Sequence, residues 1–137
     1  MSAKVNSAFV SYDNALSNID KAKKNQEMCD AYLKKACENI YAAIELYLKG
    51  IIELLGEKPQ FTHQFGDLVN QIADLKFNND KELQELCNDI GDKWESLAPW
   101  HTATYKTYFS VTEHSLGSAL RLCERLQAIV HSMVQMQ

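Results

Sequence analysis

The amino-acid sequence predicts an all-α fold, an antiparallel up-down bundle of four to five helices. Apolar residues recur at steps of three and four along most of the chain, which is the period of a helix packed on one side. Only five glycines and two prolines interrupt 137 residues, and this scarcity favours long elements. Clusters of β-branched residues, which are typical of strands, are missing. We therefore expect a single helical domain over residues 1–137.

The first two predicted helices carry the clearest patterns. The first is expected over residues 6–24, with an apolar stripe formed by Phe9, Tyr12, Leu16 and Ile19. The second is expected from residue 27 to Leu55, with two adjacent apolar rows that form a face broad enough to contact several helices. Gly50 lies in the middle of this helix at a cost of about 1 kcal/mol relative to alanine, which is tolerable where a neighbour packs closely. Gly56 fits a left-handed C-terminal cap, and Pro59 prevents the helix from resuming.

Three further helices follow from capping patterns. The third is expected to begin at Thr62 as its N-cap and to continue to Leu75. The fourth opens at Asn79 with a glutamate three residues later, and Pro99 ends it. The last opens at Ser110 with the same capping box and continues nearly to the C-terminus.

Composition excludes several classes of protein. The net charge of −4 argues against a generally basic nucleic-acid surface, although a local basic patch remains compatible with it. No apolar run approaches the roughly 20 residues that span a bilayer, so no membrane association is expected. The cysteines Cys29, Cys37, Cys87 and Cys123 form no C-x-x-C pair. We expect a cytoplasmic protein with core-packed thiols, no metal site and no cofactor.

One segment carries a family resemblance: "ENIYAAIELYLKGIIELLGEKPQFTHQFGDL", residues 38–68. It resembles the core of the HEPN (higher eukaryotes and prokaryotes nucleotide-binding) family of antiparallel helical bundles. In that family an acidic residue, a short apolar run and a lysine precede Gly-x-x-Pro-x-Thr-His-x-Leu. The matching positions are Glu38 or Glu45, Lys49, Gly56, Pro59, Thr62 and His63. Two departures from the pattern are an extra residue between Pro59 and Thr62, and Phe65 in place of the leucine.

The resemblance implies two kinds of function. Some HEPN proteins are metal-independent ribonucleases, often toxins of toxin–antitoxin pairs, with an arginine and a histidine separated by four to six residues on a late helix. Here Arg125 and His131 have that spacing and are the candidate catalytic pair. An imidazole would serve as general acid or base, and a permanent cation would hold the phosphate. On a straight helix, however, side chains six positions apart do not share a face.

Other HEPN proteins lack this pair and act as binding modules, often beside a minimal nucleotidyltransferase. For such a module we expect a homodimer, because the broad face of the second helix and the apolar tail of the last exceed what one small bundle needs. The candidate ligand-binding residues are His63, Lys49, His114, Arg121 and Arg125. His63 alternatively braces the loop through a backbone hydrogen bond, and the face formed by His114, Arg121 and Arg125 is alternatively a solvated surface.

Three functions remain open, in this order. The first is a non-catalytic, dimeric module that binds a nucleotide, RNA or a partner nucleotidyltransferase. The second is a ribonuclease that uses Arg125 and His131. The third is a helical adaptor with no nucleotide role.

Overall fold

The computed structural model describes residues 3–62, 64–75, 81–90 and 113–135, and for residues 113–115 the backbone alone. Every regular element in these parts is a helix. The helices are α1 (Ala3–Lys24), α2 (Cys29–Leu54), α3 (Phe65–Asp74), α4 (residues 81–90) and α5 (Glu113–Gln135). The predicted all-α bundle is therefore confirmed. Within the described residues, no helix is long and apolar enough to cross a membrane.

The second helix is the centre of the bundle, as predicted. It packs against α1, α5 and α3, and most extensively against α1. Its two predicted apolar rows are buried except at their ends, where Leu54 and Leu55 are partly buried. The buried residues of α2 are Leu33, Ala36, Cys37, Ile40, Tyr41, Ala43, Ile44, Tyr47, Leu48, Gly50, Ile51 and Ile52. The helix continues unbroken through Gly50. Because α1, α3 and α5 already cover this face within one chain, it leaves no broad apolar surface for a second chain.

The first two helices form an antiparallel hairpin with a definite register. The Lys4 ammonium lies 3.5 Å from a Glu53 carboxylate oxygen, so the start of α1 lies beside the end of α2. Near the other end of the hairpin, the Asn18 amide donates a hydrogen bond of 2.8 Å to the Asn39 side-chain oxygen. Between these contacts the Phe9 ring meets the Tyr47 ring edge to face, with centroids 5.6 Å apart.

This register explains the glycine in the middle of α2. Small residues repeat every seven positions on both helices and are buried: Ala8, Ala15 and Ala22 on α1, and Ala36, Ala43 and Gly50 on α2. The contacts at both ends of the hairpin place these two series at matching levels along it, Ala8 with Gly50, Ala15 with Ala43 and Ala22 with Ala36. Small side chains along a seam let two helix backbones approach closely. Gly50 therefore belongs to a packing seam.

The predicted core stripe of α1 is partly wrong. Leu16 is 41% exposed, and Phe9, Tyr12 and Ile19 are only partly buried beside the core. The fully buried positions are instead Val5 and the alanines of the seam. Large apolar residues dominate a helical wheel, whereas close packing against α2 selects the small ones, so the buried face is rotated from the predicted one.

The end of α2 has the predicted cap. Gly56 adopts a left-handed backbone conformation with φ of +88°. Its N–H donates to the Glu53 carbonyl, and the N–H of Glu57 donates to the Ile52 carbonyl, at 3.0 and 3.1 Å. These two bonds define a Schellman motif, which satisfies carbonyls that the helix end would otherwise leave unpaired.

The start of α3 differs from the prediction. Its N-cap is Gln64 and not Thr62, and the helix begins at Phe65. Thr62 is used differently: its hydroxyl oxygen accepts from the Gln64 N–H at 3.1 Å and donates to the Asp67 carboxylate at 2.8 Å. The Thr62 hydroxyl therefore does not cap α3. It stabilises the turn before the helix and connects that turn to Asp67 in the first turn of α3. The predicted caps at Asn79 and Ser110 lie outside the described residues.

We predict that Ala15→Leu destabilises the domain by about 1–3 kcal/mol, because a larger side chain forces α1 away from α2. Ala31→Leu is the matched control, since Ala31 is exposed near the start of α2 and surface substitutions usually change stability by less than about 0.5 kcal/mol. Urea unfolding of both variants measures the difference. Equal stabilities would contradict the close-packed seam.

A second pair of variants tests the cap of α2. Gly56→Ala should cost about 1–2 kcal/mol, entirely from the left-handed backbone, because an added Cβ at this position meets nothing within 4 Å. Gly66→Ala in α3 also adds a Cβ to open space, without positive φ, and should be neutral or stabilising by up to about 1 kcal/mol. Thermal unfolding distinguishes the two. A neutral Gly56→Ala would contradict the assigned cap.

Candidate functional site

A groove of about 770 Å³ lies where α2 ends and the chain turns toward α3. We call it the α2-exit groove. It is lined by Lys4 of α1, Lys49 and Glu53 of α2, and the loop residues Gly56, Glu57, Lys58, Pro59, Gln60 and Phe61. The antiparallel hairpin creates this site, because it brings the first turn of α1 to the last turns of α2. Lys49, Gly56 and Pro59 from the motif in the sequence all line it.

Lys49 is held at the groove by an ion pair. Its ammonium lies 3.3 Å from a Glu45 carboxylate oxygen one turn earlier, and the two side chains are only 12% and 13% exposed. A pair so well covered keeps more of its Coulomb attraction than one in open solvent. The pair therefore fixes the position of Lys49 and partly neutralises it.

The loop between α2 and α3 is held by side chains of α3. The Gln71 amide uses both of its ends: its NH₂ donates to the Lys58 carbonyl at 2.8 Å, and its oxygen accepts from the Gln60 N–H at 2.9 Å. Asp67 accepts the Thr62 hydroxyl at the other end of the loop. Beneath the loop, the Tyr41 ring of α2 stacks on the Phe65 ring, with centroids 4.4 Å apart. The loop is thus fixed by several independent contacts.

Phe61, at the tip of this loop, is fully exposed at 103% of its reference area. Gln60 and Phe61 lie between Pro59 and Thr62, where the family pattern has a single residue. His63, the predicted anion-binding imidazole, lies outside the described residues.

The two predicted catalytic residues, Arg125 and His131, contact different partners. The Arg125 guanidinium of α5 forms an ion pair with the Asp89 carboxylate of α4 at 2.6 Å. His131 is exposed, and one of its ring nitrogens lies 3.1 Å from the Gln135 side-chain nitrogen one turn later. Since α5 is continuous between them, six positions separate the two side chains by about 9 Å along the axis and about 120° around it.

Of the predicted cationic face of α5, the structure describes the side chains of its two arginines. Arg121 is exposed, and its guanidinium donates to the Ser118 hydroxyl on the preceding turn at 3.2 Å. Arg125 reaches across to α4 instead. The side chain of His114, the third predicted member, lies outside the described residues. The two arginines thus point to different partners.

The buried cysteines show no sign of nucleophilic activation. Burial raises the pKa of the Cys37 and Cys123 thiols to about 12 and that of Cys87 to about 11. Such thiols stay protonated at neutral pH and act as small apolar core groups. Among the described residues, no cluster of three or more His, Cys, Asp or Glu side chains has a geometry that would hold a metal ion.

Sequence reasoning missed three features of these sites. Asp89 was not identified as the partner of Arg125, because the contact joins residues 36 positions apart. Gln71 gave no signal as a loop brace. The third feature is a hydrogen bond of 3.1 Å from the Tyr12 hydroxyl to the Glu124 carboxylate of α5. Burial, and to a smaller extent this bond, raises the pKa of Tyr12 to about 12. The sequence suggested only an apolar role for Tyr12.

Comparisons with known proteins give one match. Neither the search of curated proteins nor the search of solved structures returned a match. A family model described as the HEPN domain matches residues 10–133, from the first helix through nearly all of the last. The match covers most of the chain and includes every residue that lines the α2-exit groove except Lys4. This chain therefore belongs to the HEPN domain family.

Proposed function

We propose that this chain is a single-domain, non-catalytic HEPN binding module that works as a homodimer and engages a nucleotide. RNA or a partner minimal nucleotidyltransferase are the alternative ligands that the family pattern implies. Membership of the HEPN family supports a nucleotide- or RNA-related role in general.

The ion pair between Arg125 and Asp89 is the observation that carries this proposal. A ribonuclease needs a cation free to hold the phosphate near the attacking ribose. Here the Arg125 guanidinium is neutralised by the Asp89 carboxylate at 2.6 Å, and this contact connects α4 with α5. His131 meanwhile interacts with Gln135 of its own helix. Both contacts favour a structural use of these residues.

A ribonuclease remains the second candidate because the ion pair between Arg125 and Asp89 is partly exposed to solvent. The Arg125 and Asp89 side chains are 39% and 44% exposed, and ion pairs that are open to solvent typically contribute only about 0–1 kcal/mol. A phosphate could therefore displace Asp89 at little cost. His131 is also exposed and accessible to a substrate.

The homodimer is supported by the family and no longer by the apolar surfaces that suggested it. The broad face of α2 is buried within one chain, Val130 is buried, and Met133 and Val134 pack partly against the core. Met136 lies outside the described residues. HEPN domains often dimerise, and the solvent side of α5, with Ala128 and His131 exposed, offers an uncovered helical surface.

The ribonuclease alternative is tested by releasing Arg125. Asp89→Asn removes the negative partner, and Asp74→Asn on the exposed part of α3 is the matched control. We expect wild type and both variants to leave total RNA intact, because the module is not catalytic. Gel analysis of RNA incubated with each pure protein measures this. Degradation by Asp89→Asn that disappears in Asp89→Asn/His131→Ala would establish the ribonuclease instead.

Light scattering tests the assembly. At tens of micromolar protein we expect a particle of twice the 15.6 kDa chain mass. A monomer under these conditions would contradict the dimer. A dimer whose mass and melting temperature stay unchanged on addition of nucleoside phosphates and short RNA would favour the adaptor without a nucleotide role.

A further inference from the structure

We propose that the α2-exit groove is the nucleotide site, that it takes a nucleoside monophosphate, and that the base stacks on Phe61 while the phosphate lies against Lys58. This inference rests on the proposed function, since it names the place and the chemical class of the ligand. It adds residues that the family pattern does not contain.

The size and rigidity of the groove suit a small ligand. Its volume of about 770 Å³ falls in the range of small-molecule sites. One wall is the capped end of α2, and the other is a loop held by both ends of the Gln71 amide. A site that is already fixed loses little conformational entropy when a ligand binds.

Phe61 supplies the surface for the base. Its ring is fully exposed although the loop around it is held in place, so no packing requirement of the described fold explains its apolar character. Exposed aromatic rings next to cationic side chains are the usual platforms for nucleobases, because every base has a flat π-face. The loop thus places an exposed aromatic ring on the lining of a groove that also contains three lysines.

The charges of the groove decide how many phosphates it accepts. Three ammonium groups line it, from Lys4, Lys49 and Lys58. Lys49 is paired with Glu45 and Lys4 with Glu53, while the Lys58 ammonium forms no ion pair with any residue that the structure describes. Glu57 adds a further exposed carboxylate to the lining.

The groove is therefore close to electrically neutral, with Lys58 as its available cation. A single phosphate gains one charge-assisted contact there. A triphosphate or a long RNA would bring additional negative charge close to Glu53 and Glu57, at a Coulomb cost. This balance favours a monophosphate over either of the more highly charged ligands, and it predicts only a weak dependence of affinity on salt.

The experiment is titration of the full chain with AMP, GMP, CMP and UMP. Calorimetry or ligand-observed NMR measures the binding. Phe61→Ala should weaken binding roughly 5- to 150-fold, which is the range of stacking losses on alanine substitution. Phe61→Trp should bind at least as tightly as wild type. Lys58→Gln should weaken binding roughly 3- to 10-fold, because one exposed charge-assisted contact is lost.

Matched controls separate the groove from general surface effects. Val10→Ala removes another exposed apolar side chain, on α1, and Lys24→Gln removes an exposed lysine at the far end of the same helix. Both should bind as wild type does. Circular dichroism establishes that all variants remain folded, which is expected because Phe61 and Lys58 are exposed.

The outcomes distinguish this inference from the proposed function. If wild type binds nucleotides or a ten-nucleotide RNA and Phe61→Ala and Lys58→Gln bind equally well, the groove assignment is overturned while the proposed function stands. If wild type binds none of these ligands, the proposed function falls and this inference with it. If Phe61→Ala instead converts a dimer to a monomer, Phe61 is a protein contact and the groove assignment is wrong.

Discussion

The close approach of α1 to α2 is the constraint on which the rest of the structure depends. Buried alanines recur every seven residues on α1, at the same levels of the hairpin as the buried Ala36, Ala43 and Gly50 of α2. The packing of α2 against α1 is more extensive than its packing against α3 or α5. The seam fixes the antiparallel register, and the register brings Lys4 beside Glu53. The candidate groove thus follows from the packing of the core, because this register places the start of α1 beside the end of α2, and residues of both line the groove.

The turn after α2 converts this packing into a defined surface. Gly56 stops the helix in a left-handed conformation, and Gln71 then holds the loop through two hydrogen bonds to its backbone. A loop held only at its ends would sample many conformations. These contacts hold the loop backbone at Lys58 and Gln60, and both Lys58 and Phe61 line the groove.

In the last helix, Arg125 is a candidate for catalysis and also forms a contact between helices. Arg125 meets the spacing expected of a ribonuclease, yet its guanidinium connects α5 to Asp89 of α4. Spacing along a helix is a one-dimensional property, whereas catalysis needs an unpaired cation and an imidazole that face one substrate. The ion pair and the separation of about 120° between the two positions around the helix oppose this arrangement within one chain, and this is why we propose a binding role.

The sequence by itself determined the helical class, the central position of α2, the Gly56 cap and the family, because these depend on local periodicity, on backbone preference at one glycine and on a contiguous motif. It did not determine the buried face of α1, where Leu16 was expected inside and alanines were found. It also did not reveal that Thr62 lies before the helix, that Asp89 holds Arg125 or that Gln71 braces the loop. Only the tertiary structure decided these points, because each depends on which distant side chain the packing of helices brings within a few ångströms.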